Sequence, residues 1–142
     1  MPRPALPHST PPRQQPFPPT VAEGLLGSSP AWLALLAQVR KVAPSTCSVV
    51  LLGESGSGKE RLARALHACS PRAHGAFVAL NCGALPTELV ASELFGHIRG
   101  ALTGADRARD GAFVEAHGGT LFFDELAEAS PALQVALLRA LE

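Results

Sequence analysis

No sign of charge prevails in this sequence. Twelve Lys and Arg balance twelve Asp and Glu, for a formal net charge of zero. Bulk charge therefore argues for neither nucleic-acid nor membrane binding, which leaves only a local patch for such a role. Cysteine is scarce: the three present, Cys47, Cys69 and Cys82, are too few and too scattered for a disulfide framework. No C-x-x-C pair offers a zinc site, and His67 with Cys69 forms a lone H-x-C that reads as coincidence. Reduced thiols in a cytosolic protein are the expectation. No apolar run approaches the roughly 20 residues that span a bilayer. The opening MPRPALPHSTPPRQQPFPPT has no continuous apolar stretch and no small-residue cleavage site, so it is not a secretory signal. What is abundant is core-forming material: 46% hydrophobic against 17% charged residues over 142 positions, which predicts about one globular domain.

Residues 1–20 hold eight of the thirteen prolines. Proline fixes φ and removes a donor, so this stretch reads as an extended, disordered leader or linker. A P-x-x-P ligand for a partner domain is the other reading. The folded part is expected from Val21. Ser29-Pro30 is a helix start, with Leu35, Val39 and Val42 on one face, Trp32 and Leu36 beside them as core, and Pro44 closing the segment. Ser48–Leu52 (SVVLL) reads as a strand followed by glycines and a helix from Arg61 to Ala68. Phe77–Leu80 is a second strand, Thr87–Phe95 a helix, and Thr120–Phe123 a third strand. Ser130-Pro131 caps a last helix that meets the C-terminus without a stop signal, as expected of a truncated product or a fragment. Strands alternating with helices predict an α/β fold with a mostly parallel sheet.

Three segments carry chemistry. The first is Gly53, Glu54, Ser55, Gly56, Ser57, Gly58, Lys59 and Glu60, set between a strand and a helix. Glycines let backbone N–H groups converge on a phosphate, the helix N-terminus adds positive potential, and Lys59 supplies a point charge for β- and γ-phosphates. The generic loop has Ser or Thr after its lysine to hold Mg²⁺; here Glu60 stands there. The second is Gly118-Gly119-Thr120-Leu121-Phe122-Phe123-Asp124-Glu125. A four-residue strand delivers two carboxylates to its C-terminal end, the edge where open α/β sheets bind ligands. Asp124 suits Mg²⁺, directly or through water, and Glu125 suits orienting or deprotonating an attacking water. The third, Gly100, Ala101, Leu102, Thr103, Gly104 and Ala105, is on physical grounds only a small-residue loop with one apolar residue at its tip.

In this order, GESGSGKE, Asn81-Cys82, the ELFGH run Glu93–His97, GALTGA and GGTLFFDEL resemble the central AAA+ domain of sigma-54-dependent activators, the bacterial enhancer-binding proteins. The resemblance covers about residues 24–142. It implies a P-loop NTPase with a three-layer αβα core, and residues 21–142 as part of a sigma-54 interaction domain. In that family Glu is usual at the Glu60 position. The resemblance places ATP contacts on the Gly53–Glu60 loop and on Ala116, His117, Gly118, Gly119, Thr120, Leu121, Phe122, Phe123, Asp124 and Glu125. It implies Mg²⁺ at Asp124, catalysis by Glu125 with Asp124 and Lys59, and Asn81 restraining the catalytic glutamate until the nucleotide state changes. The Gly100–Ala105 loop resembles the segment that touches the sigma factor and couples hydrolysis to promoter opening. The implied partners are the sigma-54 RNA polymerase holoenzyme and further copies of the chain in a ring, usually a hexamer.

The sequence departs from that pattern in several places. Leu102 replaces the family's loop phenylalanine, trading an aromatic anchor for a smaller aliphatic. Ile98 and Arg99 stand where the family often has Glu and Lys. The sensor strand, arginine fingers, helical lid and helix-turn-helix domain of the family have no counterpart in these 142 residues. In other nucleotide hydrolases the loss of an arginine finger costs about 10³–10⁵ in rate. The family's fourth strand lies between SVVLL and TLFF, so both are expected to show open edges. Two alternatives stand beside the ATPase: a nucleotide-binding module without turnover, and a P-loop ATPase of another class.

Overall fold

The computed structural model describes Phe17 and residues 25–97 and 108–141. Helix α1 (Pro30–Val42) begins as its sequence dictates. The Ser29 side chain accepts a hydrogen bond from the Trp32 backbone N–H at 3.2 Å, proline opens the helix, and Arg40 and Lys41 lie in the last turn. Helix α2 (Lys59–Ala68) starts two residues before the expected Arg61, from Gly58 in the left-handed conformation at φ 91°. Leu36 and Val39 of α1 and Leu62 and Ala65 of α2 bury against one another. Phe17 joins them at 8% exposure, with the Arg40 guanidinium 4.0 Å above its ring. Packing thus reaches into the proline-rich segment; its other residues lie outside those described.

Strands β1 (Phe77–Asn81) and β4 (Thr120–Asp124) pair in parallel, with Phe77 opposite Thr120 and Asn81 opposite Asp124. Each runs one residue beyond its expected end. Between them come a 3₁₀ turn (Thr87–Leu89) leading into α3 (Val90–Phe95), the two-residue antiparallel partners β2 (Gly96–His97) and β3 (Arg109–Asp110), and α4 (Ala112–Glu115). After β4, a 3₁₀ turn (Leu126–Glu128) leads to α5 (Pro131–Leu141), where Ser130 Oγ accepts from Leu133 N–H at 3.3 Å. The Gly100–Ala105 loop, with Ile98 and Arg99, lies outside the described residues.

Side chains alternate across a strand, so β1 and β4 offer two faces. On one, Phe77 and Phe122 stack at 6.1 Å; His67 of α2 bonds Thr120 Oγ1 at 2.9 Å, and Arg64 lies 4.5 Å over the Phe77 ring. On the other, Leu80 and Phe123 pack on a core of Cys82, Val90, Leu94, Ala129, Leu133 and Leu137. Helices thus cover both faces of a parallel pair, the αβα layering expected of the fold. At the start of the pair the backbones nearly touch: Thr120 N–H bonds the Ala76 carbonyl at 2.8 Å, and a Cβ on Gly119 would collide with that same carbonyl.

The expected strand Ser48–Leu52 does not form. Among the described residues no ladder reaches it, and Val49, Val50 and Leu52 are exposed while Leu51 leans on the α1–α2 core. β-Branched residues favour extended backbone, but a strand exists only through a partner, and among the described residues none lies alongside this segment. The expected open edges are the counterpart of this missing ladder.

Candidate functional site

The loop before α2 is built by its glycines and by two side chains that fold back on it. Gly56 and Gly58 take φ of 74° and 91°, conformations that a side chain would strain. Ser57 donates through its N–H (3.2 Å) and its hydroxyl (2.7 Å) to the Glu54 carbonyl. Lys59 Nζ donates to the carbonyls of Gly53 (3.1 Å) and Glu54 (2.8 Å), so the ammonium sits on the loop beside the N-terminus of a ten-residue helix. Glu60 is held by an ion pair with Arg64, one helical turn on, at 2.6 Å. That contact gives Glu60 a role within the helix and explains locally why an acid is tolerated after the lysine.

Strand β4 carries Asp124 and Glu125 to the same place. Asp124 shares a face with Thr120 and Phe122, the face on which α2 lies, and this aims it toward the phosphate-type loop. Glu125 follows at φ 52° and ψ 41°; it is the only non-glycine with positive φ among the described residues. Such backbone costs on the order of 1–3 kcal/mol and persists only where neighbours enforce it. Here Glu125 N–H donates to Asp124 Oδ1 at 3.0 Å, and the Glu125 carbonyl accepts from Glu128 N–H at 2.8 Å. Asn81, at the end of β1, donates from Nδ2 to Glu125 Oε2 at 3.1 Å while its Oδ1 accepts from Ala84 N–H at 2.9 Å. The amide therefore ties the carboxylate to the turn after β1.

These groups converge on one cleft of about 550 Å³, whose lining runs from Ser55 to Arg61, takes in Asp124 and Glu125, and reaches Leu25, Leu26 and Trp32. Asn81 stands behind Glu125. Ala116, His117, Gly118, Gly119, Thr120, Leu121, Phe122 and Phe123 do not line the cleft. Ala116–Gly119 form the turn that enters β4, and at about 3.3 Å per residue the strand carries them roughly 13 Å or more from Asp124. Four further residues, Leu25, Leu26, Trp32 and Arg61, line the cleft from outside the motifs. Arg61 adjoins the motif, but Leu25, Leu26 and Trp32 carry no local signal; Trp32 reads as helix core, and it does also pack beside that core.

Burial, and then the charge of Asp124, push the Cys82 thiol up from its ordinary range; burial does the same to Cys69 against the opposing charge of Arg40.

Residues 25–142 match the sigma-54 interaction domain. The chain belongs to that family. The sigma-54 interaction domain chain is 57% identical over 119 residues to the transcriptional regulatory protein ZraR of Salmonella typhimurium, covering 84% of this chain and 27% of that protein. It is 53% identical over 127 residues to the Nif-specific regulatory protein of Rhodobacter capsulatus, covering 89% of this chain and 22% of the other. It thus spans about a quarter of the length of these relatives. Among solved structures, NtrX from Brucella abortus superposes with a TM-score of 0.74 at 38% identity, over 86% of this chain and 27% of NtrX. NtrX in complex with ATP gives a TM-score of 0.70 at 39% identity, over 82% and 24%. The fold is accordingly that of a P-loop NTPase of the AAA+ type, and the family is one of transcriptional regulators. Among the described residues no helix is long and apolar enough to cross a membrane.

Proposed function

We propose that this domain binds ATP with Mg²⁺ in the cleft between the Gly53–Glu60 loop and Asp124–Glu125, and that hydrolysis there drives remodelling of the sigma-54 RNA polymerase holoenzyme in a cytoplasmic ring of such domains, usually a hexamer. The observation that carries this reading is the convergence of a lysine-bearing glycine loop and an acidic pair on one cleft, in a chain of the sigma-54 interaction family. Lys59 is already beside the loop carbonyls, and a triphosphate would draw its ammonium onto the β- and γ-oxygens. Glu125, held from behind by Asn81, is the base or water-orienting group. Among the described residues no cluster of three acidic, His or Cys side chains could cage a metal. That suits Mg²⁺, which takes one or two carboxylates and completes its shell with phosphates and water. Asp124 is the carboxylate for it; the ion would supply charge neutralisation at the transferred phosphoryl group. The Gly100–Ala105 loop, on the strength of its sequence, is the segment assigned to the sigma factor, and residues 21–142 are the domain.

The test is thermal stability with and without Mg-ATP, in the parent and in Lys59→Ala. A ligand present at about 100 times its Kd stabilises the folded state by about 2.7 kcal/mol. A rise in Tm for the parent that disappears in the variant supports the reading. No rise in the parent, in a chain that melts cooperatively, removes it. Phosphate release measured alongside separates an ATPase from a module that binds without turnover.

A further inference from the structure

The proline-rich leader contains a P-x-x-P, Pro16-Phe17-Pro18-Pro19, that the nucleotide site does not use. Phe17 is nonetheless only 8% exposed. It forms one buried cluster with Leu36 and Val39 of α1 and Leu62 and Ala65 of α2. The Arg40 guanidinium lies 4.0 Å over its ring, a cation–π distance. A linker that serves only as a spacer has no need to place an aromatic ring between two helices of the domain it leads into. Pro18 confines the Phe17 backbone to extended conformations, and prolines on both sides reduce the freedom that docking must give up. The groove that takes the ring also borders the nucleotide cleft. Leu25 and Trp32 pack against the Phe17 cluster and line the cleft as well. Helix α2, which supplies Leu62 and Ala65, begins at Lys59.

We propose that the groove between α1 and α2 is a docking site for the leader of the same chain, with Phe17 as its anchor, and that docking and nucleotide binding favour one another. The second half of this rests on the ATP reading of the cleft; the first half does not. With Phe17 seated, α1 and α2 share a filled core, and Leu25 and Trp32 keep their places at the cleft. With Phe17 withdrawn, both lose a neighbour, and a ligand that needs the cleft formed binds less tightly. The coupling is reciprocal: whatever seated Phe17 adds to ATP affinity, bound ATP adds equally to the seating of Phe17. A seated motif is also withheld from the aromatic-lined grooves that recognise free P-x-x-P segments.

Limited trypsin digestion of the whole chain reads the seating. The leader offers one cleavable bond, Arg13–Gln14, because Arg3 precedes a proline. Cleavage needs the surrounding chain extended and free, so a seated Phe17 slows it. Phe17→Ser is expected to speed this cleavage about tenfold or more. In calorimetric titration it is expected to weaken Mg-ATP about fivefold, the low end of ordinary coupling. Phe17→Leu, which keeps an apolar side chain, should lie between the parent and Phe17→Ser in both readouts, and it decides the matter should Phe17→Ser not melt cooperatively. Mg-ATP should slow the cleavage further in the parent and leave it unchanged in Phe17→Ser. Protection in the parent should survive dilution. Equal cleavage in the parent and both variants would overturn the docking and leave the P-x-x-P to a separate partner. Protection lost on dilution would place the leader on a second copy and overturn it too. Faster cleavage with ATP affinity unchanged would overturn the coupling. A parent that binds no ATP, yet has an Arg13 bond that Phe17→Ser exposes, sinks the nucleotide reading and leaves the docking standing.

Discussion

Replacing Asn81 by Asp changes one end of one contact and little else. The side chains are nearly isosteric, and the Oδ1 that accepts from Ala84 N–H is retained. The Nδ2 that donates to Glu125 Oε2 at 3.1 Å becomes an oxygen, so a charge-assisted hydrogen bond turns into a contact between two carboxylates. At that separation Coulomb's law gives about 1.3 kcal/mol in a water-like dielectric and about 5 kcal/mol at an effective dielectric of 20. Both residues are exposed, and the acids can rotate apart, so the lower figure governs; the lost hydrogen bond adds roughly 1 kcal/mol. The expected deficit is about 2 kcal/mol near neutral pH, a fall in Tm of roughly 6–12 °C for a domain of this size. The sign with pH follows from the pair. Two adjacent carboxylates bind a proton more readily when folded than when unfolded, so the variant's deficit is full near neutrality and closes in acid as they share one. Thermal melts of parent and Asn81→Asp across pH measure this directly. A variant as stable as the parent at neutral pH, or a deficit that persists unchanged in acid, would refute the view that Asn81 holds Glu125.

Leu133 is fully buried in the core behind β4. Its change to Ala should cost about 2–5 kcal/mol, seen as a lower denaturation midpoint with little change in m-value. Burial, with the charges of Arg72, Arg64 and His74 and against a backbone hydrogen bond at Gly75, lowers His67 below its ordinary 6.5. The unfolded chain then takes up this proton first, so stability is complete above that pH, declines as pH falls through it, and levels off once folded His67 protonates. His67→Asn should flatten the decline in Tm between about pH 7.5 and 5.5; an identical slope in both proteins would exclude His67 as its source.

Much of the architecture was legible because it is local. Ser29-Pro30 and Ser130-Pro131 announce helix starts through capping chemistry, and FVAL and TLFF are apolar runs of strand length that do pair. SVVLL has the same composition and stays unpaired, because a ladder depends on what lies alongside, which no local pattern encodes. The two-residue partners β2 and β3 and the four-residue α4 are too short to show a period. Within the site, the glycine loop and the acidic pair were readable as motifs. The contact between Asn81 and Glu125, 44 positions apart, follows from the family resemblance and from no feature of either segment. Trp32 reads as core because a helical stripe shows which side chains point inward and not what cavity waits there.

The parallel register of β1 and β4 works as a gauge for the chemistry at their ends. Asn81 stands opposite Asp124 because Phe77 stands opposite Thr120, four rungs earlier. Sliding one strand by a single residue would turn Asp124 away from the phosphate-type loop and carry Asn81 out of reach of Glu125, while leaving every hydrogen bond of the ladder available. What prevents the slide is the sorting of side chains along the rungs: Phe77 and Phe122 toward α2, Leu80 and Phe123 toward α3 and α5. The spacing of the acidic pair from its amide holder is therefore set by aromatic and aliphatic groups that never meet the ligand. Substitutions among them can be expected to miscalibrate the site before they unfold the domain.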